Sequence, residues 1–222
     1  MRDAPSLRGS LPVRLVALFA GLVLVSTAIV SLLESGLGLP PWDVLHMGIA
    51  EHSPLTLGRA GVVLGLAIIV VAWVAGAPPG FGTVANAVVI GLAIDVMSSI
   101  DAVRRLSEGP LILRVGLVAL GVWLFGAGSA LYIGAGMGAG PRDSLMLALT
   151  RRTGWRIGLV RGSIEVMVLA AGLALGGVAG VGTLVLALLV GPSVELSFWL
   201  LLRLGLADPR LRAPEFGPLD VG

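Results

Sequence analysis

Apolar residues in this chain gather into long stretches with few charges, separated by short polar or glycine- and proline-rich breaks, and these stretches predict the elements. Residues 15–33, 57–75, 81–99, 111–133, 155–175 and 181–202 each approach the roughly 20 residues that a helix needs to cross a bilayer. Gly76-Ala-Pro-Pro-Gly80 and 176–180 interrupt the pattern inside each half, and the polar link 101–109 divides the halves. Two segments, 42–52 and 142–153, are too short to cross. Their apolar residues at 45 and 49, and at 145 and 149, fall on one helical face.

The pattern occurs twice at an offset of one hundred residues. Gly36-Leu-Gly-Leu-Pro-Pro-Trp-Asp43 matches Gly136-Met-Gly-Ala-Gly-Pro-Arg-Asp143, so that Gly36, Gly38, Pro41 and Asp43 align with Gly136, Gly138, Pro141 and Asp143, while Trp42 faces Arg142. Gly21, Gly58, Gly80, Gly82, Thr83, Ala87 and Gly91 also have identical partners one hundred residues on. Matched prolines, aspartates and Gly-x-Gly-Thr at one register mark a duplicated unit. Three spans per unit force the second unit to enter the bilayer from the opposite side. The expected fold is therefore an all-α polytopic membrane protein with six transmembrane helices as two inverted three-helix repeats, each carrying a short interfacial or re-entrant helix after its first span. The expected divisions are a cytoplasmic N-terminus at 1–10, repeats at 11–105 and 106–206, and a disordered cytoplasmic tail at 207–222.

Composition supports a bilayer location: 56% of residues are hydrophobic and 13% charged, too few to coat a soluble globule. The basic residues are all arginine, and they report orientation. Arg2, Arg8, Arg14, Arg142, Arg151, Arg152, Arg156, Arg161, Arg203, Arg210 and Arg212 would be cytoplasmic with the N-terminus inside, leaving Arg59, Arg104, Arg105 and Arg114 outside. This favours cytoplasmic N- and C-termini. The arginines form no stripe interleaved with aromatics, so nucleic acid is not an expected partner. The absence of cysteine excludes disulfides and thiolate metal sites, and His46 and His52 lack a third ligand nearby, so no metal or cofactor is expected. Trp73, Trp155 and Trp199 near the cytoplasmic ends, and Trp42 near the outer one, suit an aromatic belt.

The short segments can be read in two ways on the same residues. Proline at 41 and 141 suits a first helical turn, and Asp43 and Asp143 lie where a helix start favours a carboxylate. Each segment is either an interfacial helix with an acidic first turn or a re-entrant one whose start is aimed at a bound solute. Glu165 lies about nine residues into its span, near the midplane, where an ionisable group points to function unless Arg161, one turn earlier, neutralises it. Asp95 and Glu195 occupy matching positions in the third and sixth spans and could line a pathway or lie hydrated near the headgroups. Asn86 is polar where its partner is Leu186, and is expected to line a cavity. The small pairs Gly61/Gly65, Ala87/Gly91 and Gly172/Gly176 suit close helix packing. Residues 134–140 lack the strand and the Lys-Ser/Thr ending of a phosphate loop.

Gly-x-Gly-x-x-Pro-Trp-Asp-Val-Leu-x-x-Gly at 36–48, Leu-Thr-x-Gly at 55–58 and Gly-Phe-Gly-Thr at 80–83 resemble the YczE/YyaS/YitT-type bacterial integral membrane proteins over about residues 13–202. The resemblance implies a polytopic bacterial inner-membrane protein. Arg142 replaces the tryptophan in the second half, so a role needing an aromatic there does not carry over. The function expected is transporter-like: a small solute or ion passes a central polar site of Glu165, Arg161, Asp95, Glu195 and Asn86, with Asp43 and Asp143 orienting the short segments. The alternative is a non-transporting accessory or scaffold, with a homo-oligomer or a protein partner. No nucleophile with a base or metal set points to an enzyme.

Overall fold

The computed structural model describes residues 5–208. Its helices are α1 (Leu11–Ser35), α2 (Pro41–Glu51), α3 (Leu57–Val74), α4 (Phe81–Ser98), the single turn α5 (Asp101–Arg104) running into a 3-10 turn (Arg105–Glu108), α6 (Leu111–Gly134), α7 (Pro141–Thr153), α8 (Ile157–Ala174) and α9 (Val181–Arg203). Strands β1 (Ser6–Leu7) and β2 (Ala207–Asp208) pair antiparallel, and Arg8 donates to Asp208 at 2.8 Å beside them. The structured chain thus extends two residues into the tail expected to be disordered from 207, because Ala207 and Asp208 find a backbone partner near the other terminus. The rest of that tail, 209–222, and residues 1–4 lie outside the described residues.

Among the described residues, α1, α3, α4, α6 and α9 are long and apolar enough to cross a membrane. The 18-residue α8 carries Arg161 and Glu165. Large apolar side chains cover the outer surface, with Ile112 79% and Val74 77% exposed. Such a surface suits hydrocarbon and would be costly in water.

Helices α1 and α6 form the centre and run antiparallel. Arg14, in the first turns of α1, donates through Nε to the Ala135 carbonyl at the end of α6 (2.7 Å), and Arg114, early in α6, donates through Nε to Ser35 at the end of α1 (2.6 Å). Each arginine satisfies a carbonyl left over at a helix end and places positive charge where the helix dipole favours it. Glycine lets the two backbones touch: a Cβ on Gly21 would lie 2.6 Å from the Gly128 carbonyl oxygen, and one on Gly128 equally near that of Gly21.

The links between α1 and α2 and between α6 and α7 leave the helix and are bonded by the opposite half. Gly36 (φ 58°) and Gly136 (φ 63°) turn the chain out of its helix in a conformation that other residues rarely adopt. The Gly182 N–H donates to Leu37 (2.7 Å) and the Thr183 hydroxyl to Leu39 (2.8 Å). The same bonds recur with both numbers shifted by one hundred: Gly82 N–H to Met137 (2.7 Å) and Thr83 hydroxyl to Ala139 (2.6 Å). Gly38 and Gly138 allow this approach, since a Cβ on either would lie 2.6 or 2.7 Å from the opposing threonine oxygen. Each threonine also accepts from the glycine N–H that starts its own helix, Gly80 to Thr83 at 3.2 Å and Gly180 to Thr183 at 3.1 Å.

Trp42 does not join an aromatic belt. It is 5% exposed and packs with Ile68, Met146, Val160 and Ile164, because α2 turns inward at Pro41 and carries its first turn into the bundle. Trp73, Trp155 and Trp199 are exposed.

Replacing Thr183 by valine takes the hydroxyl partner from the Leu39 carbonyl and the Gly180 N–H, and replacing Thr83 takes it from the Gly80 N–H and leaves the Ala139 carbonyl with the Ser144 hydroxyl at 3.5 Å. Each substitution is expected to lower stability by about 1–3 kcal/mol, read as a fall in the thermal unfolding midpoint in detergent or nanodiscs.

Candidate functional site: a cavity where two short helices begin

Proline at the first helical position starts α2 and α7, and the links that precede them aim both starts at the interior. Their first turns meet beside a cavity of about 90 Å³, bordered also by α1, α3, α4 and α6. Trp42, Asp43 and His46 come from α2; Pro141, Arg142 and Asp143 from α7; Asn86 from α4; Phe125, Ser129 and Tyr132 from α6. Gly61 and Gly65 of α3 leave room: a Cβ at Gly61 would lie 3.2 Å from His46 Nδ1.

Asp43 is 1% exposed. Its Oδ1 lies 3.2 Å from His46 Nδ1, one turn along the helix, and 3.7 Å from an Arg142 guanidinium nitrogen across the junction. Its Oδ2 is buried and has no hydrogen-bond partner among the described residues. The Arg142 guanidinium also sits over the Trp42 ring, 5.1 Å from its centroid. Position 42 in one half and 142 in the other thus form a cation–π pair, and their difference in sequence is complementary in space.

Asp143 is the counterpart of Asp43 but is differently placed. Among the described residues it has no hydrogen-bond or ion-pair partner, although it lies in the fields of Arg161, Arg142 and Glu165. Asn86 and Asp143 both border Gly140: the point that a Cβ there would occupy is 3.7 Å from the Asn86 amide and from Asp143 Oδ2. Polarity is confined to one side. Leu186 and Leu32, the counterparts of Asn86 and Tyr132, pack with Leu39, Val44, Val118 and Val122 in an apolar core.

Of the five residues expected to form the central site, Asn86 lines the cavity, whereas Glu165, Arg161, Asp95 and Glu195 do not; Asp43 and Asp143, expected to orient the short segments, line it as well. Asp95 accepts the Gly58 N–H at 3.0 Å and the Thr56 hydroxyl at 2.5 Å, with Arg59 4.0 Å away, so it caps the start of α3. Glu195 is exposed. Glu165 pairs with Arg161 at 3.9 Å, the intrahelical neutralisation that its i,i+4 spacing allows. Gly172 does pack closely, against α2, while Gly176 has open space around it.

Sequence reasoning passed over three parts of this arrangement. His46 stands at i+3 from Asp43, a spacing that brings two side chains together on a helix. Arg14 and Arg114 are identical at the offset of one hundred, and that identity is the signal for their shared role. Tyr132 and Ser129 give no signal, because a lone tyrosine or serine in an apolar span has no pattern.

Apolar helices of crossing length, a lipid-suited surface and a polar interior define a polytopic helical membrane protein. By sequence it belongs to a family of unknown function, DUF6198, whose model matches residues 12–198. It is 36% identical over 180 residues to the uncharacterized membrane protein YczE of Bacillus subtilis, covering 78% of this chain and 80% of that one. An uncharacterized protein of Haemophilus influenzae is 35% identical over 170 residues, 77% of this chain and 76% of its own. The uncharacterized protein YyaS of Bacillus subtilis is 24% identical over 172 residues, 77% and 85% respectively. These similarities bear out the resemblance to the YczE and YyaS proteins. No solved structure matches the chain.

Substituting Arg142 by methionine strands Asp43 with His46 alone. The expected loss is about 1–3 kcal/mol of stability. Adding Asp43→Asn to Arg142→Met should recover part of it, and a double-mutant cycle on thermal unfolding in nanodiscs measures the coupling.

Proposed function

We propose that this protein is transporter-like: two inverted three-span repeats carry a small solute or ion across the bacterial inner membrane through the cavity between α2 and α7. Several features support the inverted arrangement. The first helices of the two halves, α1 and α6, are antiparallel, and the bonds between the halves occur in pairs offset by one hundred. Pairing of β1 with β2 sets the start of α1 and the end of α9 on one side, which supports an even number of crossings with α8 as the sixth. The arginine distribution favours that side as the cytoplasm.

The observation that carries transport is a difference between the halves. In the first, α3 and α4 are clasped: Gly58 and Gly91 meet backbone to backbone, and Asp95 caps the start of α3. In the second, their counterparts Gly158 and Gly191 have open space around them and Glu195 is exposed. One plan in two packing states is what alternating access exchanges. With cytoplasmic termini, the clasped pair closes the outer face and the separated pair leaves the inner face open. Exchange would clasp α8 to α9 and release α3 from α4.

Two measurements test this reading, both helped by the absence of native cysteine. Of single cysteines at Glu108 and Arg152, only the first should react with an impermeant maleimide added outside intact cells. The reverse result, or equal labelling, removes the orientation. A cysteine pair at Gly158 and Gly191 should cross-link with a short bifunctional thiosulfonate in a fraction of molecules. In proteoliposomes the cross-link should stop solute uptake until it is reduced. Absence of any cross-link, together with uptake no greater than in empty vesicles, would favour a membrane scaffold.

A further inference from the structure

The polar groups around the cavity are mismatched in a way that specifies what would fill it. Asp43 lines the cavity, and its buried Oδ2 has no hydrogen-bond partner among the described residues. A carboxylate can only accept, so the group it lacks is a donor or a cation and not an anion. Asp143, from the opposite helix, also has no hydrogen-bond or ion-pair partner among the described residues. Asn86, which lines the same cavity, has no hydrogen bond among those residues. Among the cavity-lining residues two carboxylates stand against one arginine, and Arg161, whose field also reaches Asp143, is itself paired with Glu165. Each carboxylate is favoured by the start of its own helix, so its charge can persist in the bundle, but burial leaves it in want of donors.

The walls narrow the choice. Tyr132, Phe125 and Trp42 offer aromatic surface, which suits a weakly hydrated organic cation better than a small metal ion. Among the described residues no group of three His, Asp or Glu is placed to hold a metal. Arg142 already displays the recognition chemistry: its guanidinium covers the Trp42 ring at 5.1 Å and approaches Asp43 Oδ1 at 3.7 Å. A cavity of about 90 Å³ admits a head group of a few heavy atoms and not a large metabolite.

We propose that the cavity binds a small monovalent cation with N–H donors, of the guanidinium or alkylammonium class, seated between Asp43 and Asp143 beside Asn86. This assignment rests on the transport reading for its purpose but not for its test, since binding needs no gradient. The ligand donates to Asp143 and to Asp43 Oδ2, and its cationic group lies against the aromatic wall. Arg142 is the tethered cation beside which it binds, and its movement off Trp42 admits the ligand fully.

The test is calorimetric titration of the full chain in nanodiscs with guanidinium chloride at low concentration and constant ionic strength, repeated with methylammonium chloride and with urea, the neutral shape-mimic of guanidinium. Guanidinium and methylammonium should bind saturably and urea should not. Asp143→Asn should weaken binding by about tenfold or more, as loss of a charged hydrogen-bond partner does. Asp43→Asn should do the same where it folds. Glu195→Gln, an exposed acid away from the cavity, should bind as the native chain does. Equal responses to urea and guanidinium, unchanged affinity in Asp143→Asn, or preferential binding of inorganic phosphate would each overturn the assignment. Binding without uptake in proteoliposomes would leave the ligand class standing and remove transport. Uptake of another solute with no guanidinium or methylammonium binding would do the reverse.

Discussion

A broken backbone inside an apolar bundle is tolerated only when its carbonyl and N–H groups are hydrogen-bonded, because no water reaches them and each unmet group costs several kcal/mol. This protein breaks its backbone twice, after α1 and after α6, and in both places the missing donors come from the other half of the chain. Thr183 and Gly182 bond to the first break, and Thr83 and Gly82 to the second. Arg114 and Arg14 cover the helix ends beside them. Neither break is satisfied by its own half, so folding of one half depends on the other.

That dependence sets the geometry of the polar site. Bonds at 37–39 and 137–139 hold α2 and α7 with their starts together, and the aspartates two residues inside each helix are carried to the junction. Divergence between the copies then makes the two sides unequal. Tryptophan against arginine at 42 and 142 yields a stacked pair, and histidine against methionine at 46 and 146 gives one aspartate a partner that the other lacks. Asparagine against leucine at 86 and 186 makes one side polar and the other dry. The duplicated frame holds the structure together, and the positions where the copies differ supply the chemistry.

The same inequality extends to the outer helices. Gly58 and Gly91 permit a backbone contact that Asp95 fastens by capping α3, while the identical glycines at 158 and 191 face open space. Glutamate at 195 reaches farther than aspartate at 95, and Arg156 stands where Thr56 provides a cap, so the second half lacks the matched pair of short side chains that closes the first. The glycines make close packing available, and the neighbouring polar groups decide whether it is used.

Much of the fold was legible in the chain. Hydrophobic length located the helices within a few residues, the offset of one hundred located the short ones, and Gly36 and Gly136 marked the breaks, because these features depend on local backbone preference and on period. Asn86 was legible as a cavity residue because it broke the symmetry. The assembly of the site was not. Asp95 and Glu165 carry the same charge as the aspartates that line the cavity, yet one caps a helix and the other pairs with Arg161. Trp42 belongs by composition to a membrane interface, yet is buried. Sequence fixes how far along a helix a side chain lies, but the rotation of that helix and the identity of its neighbour come from packing. Those two quantities decided which acids meet, which are neutralised, and which carboxylate oxygen remains without a partner.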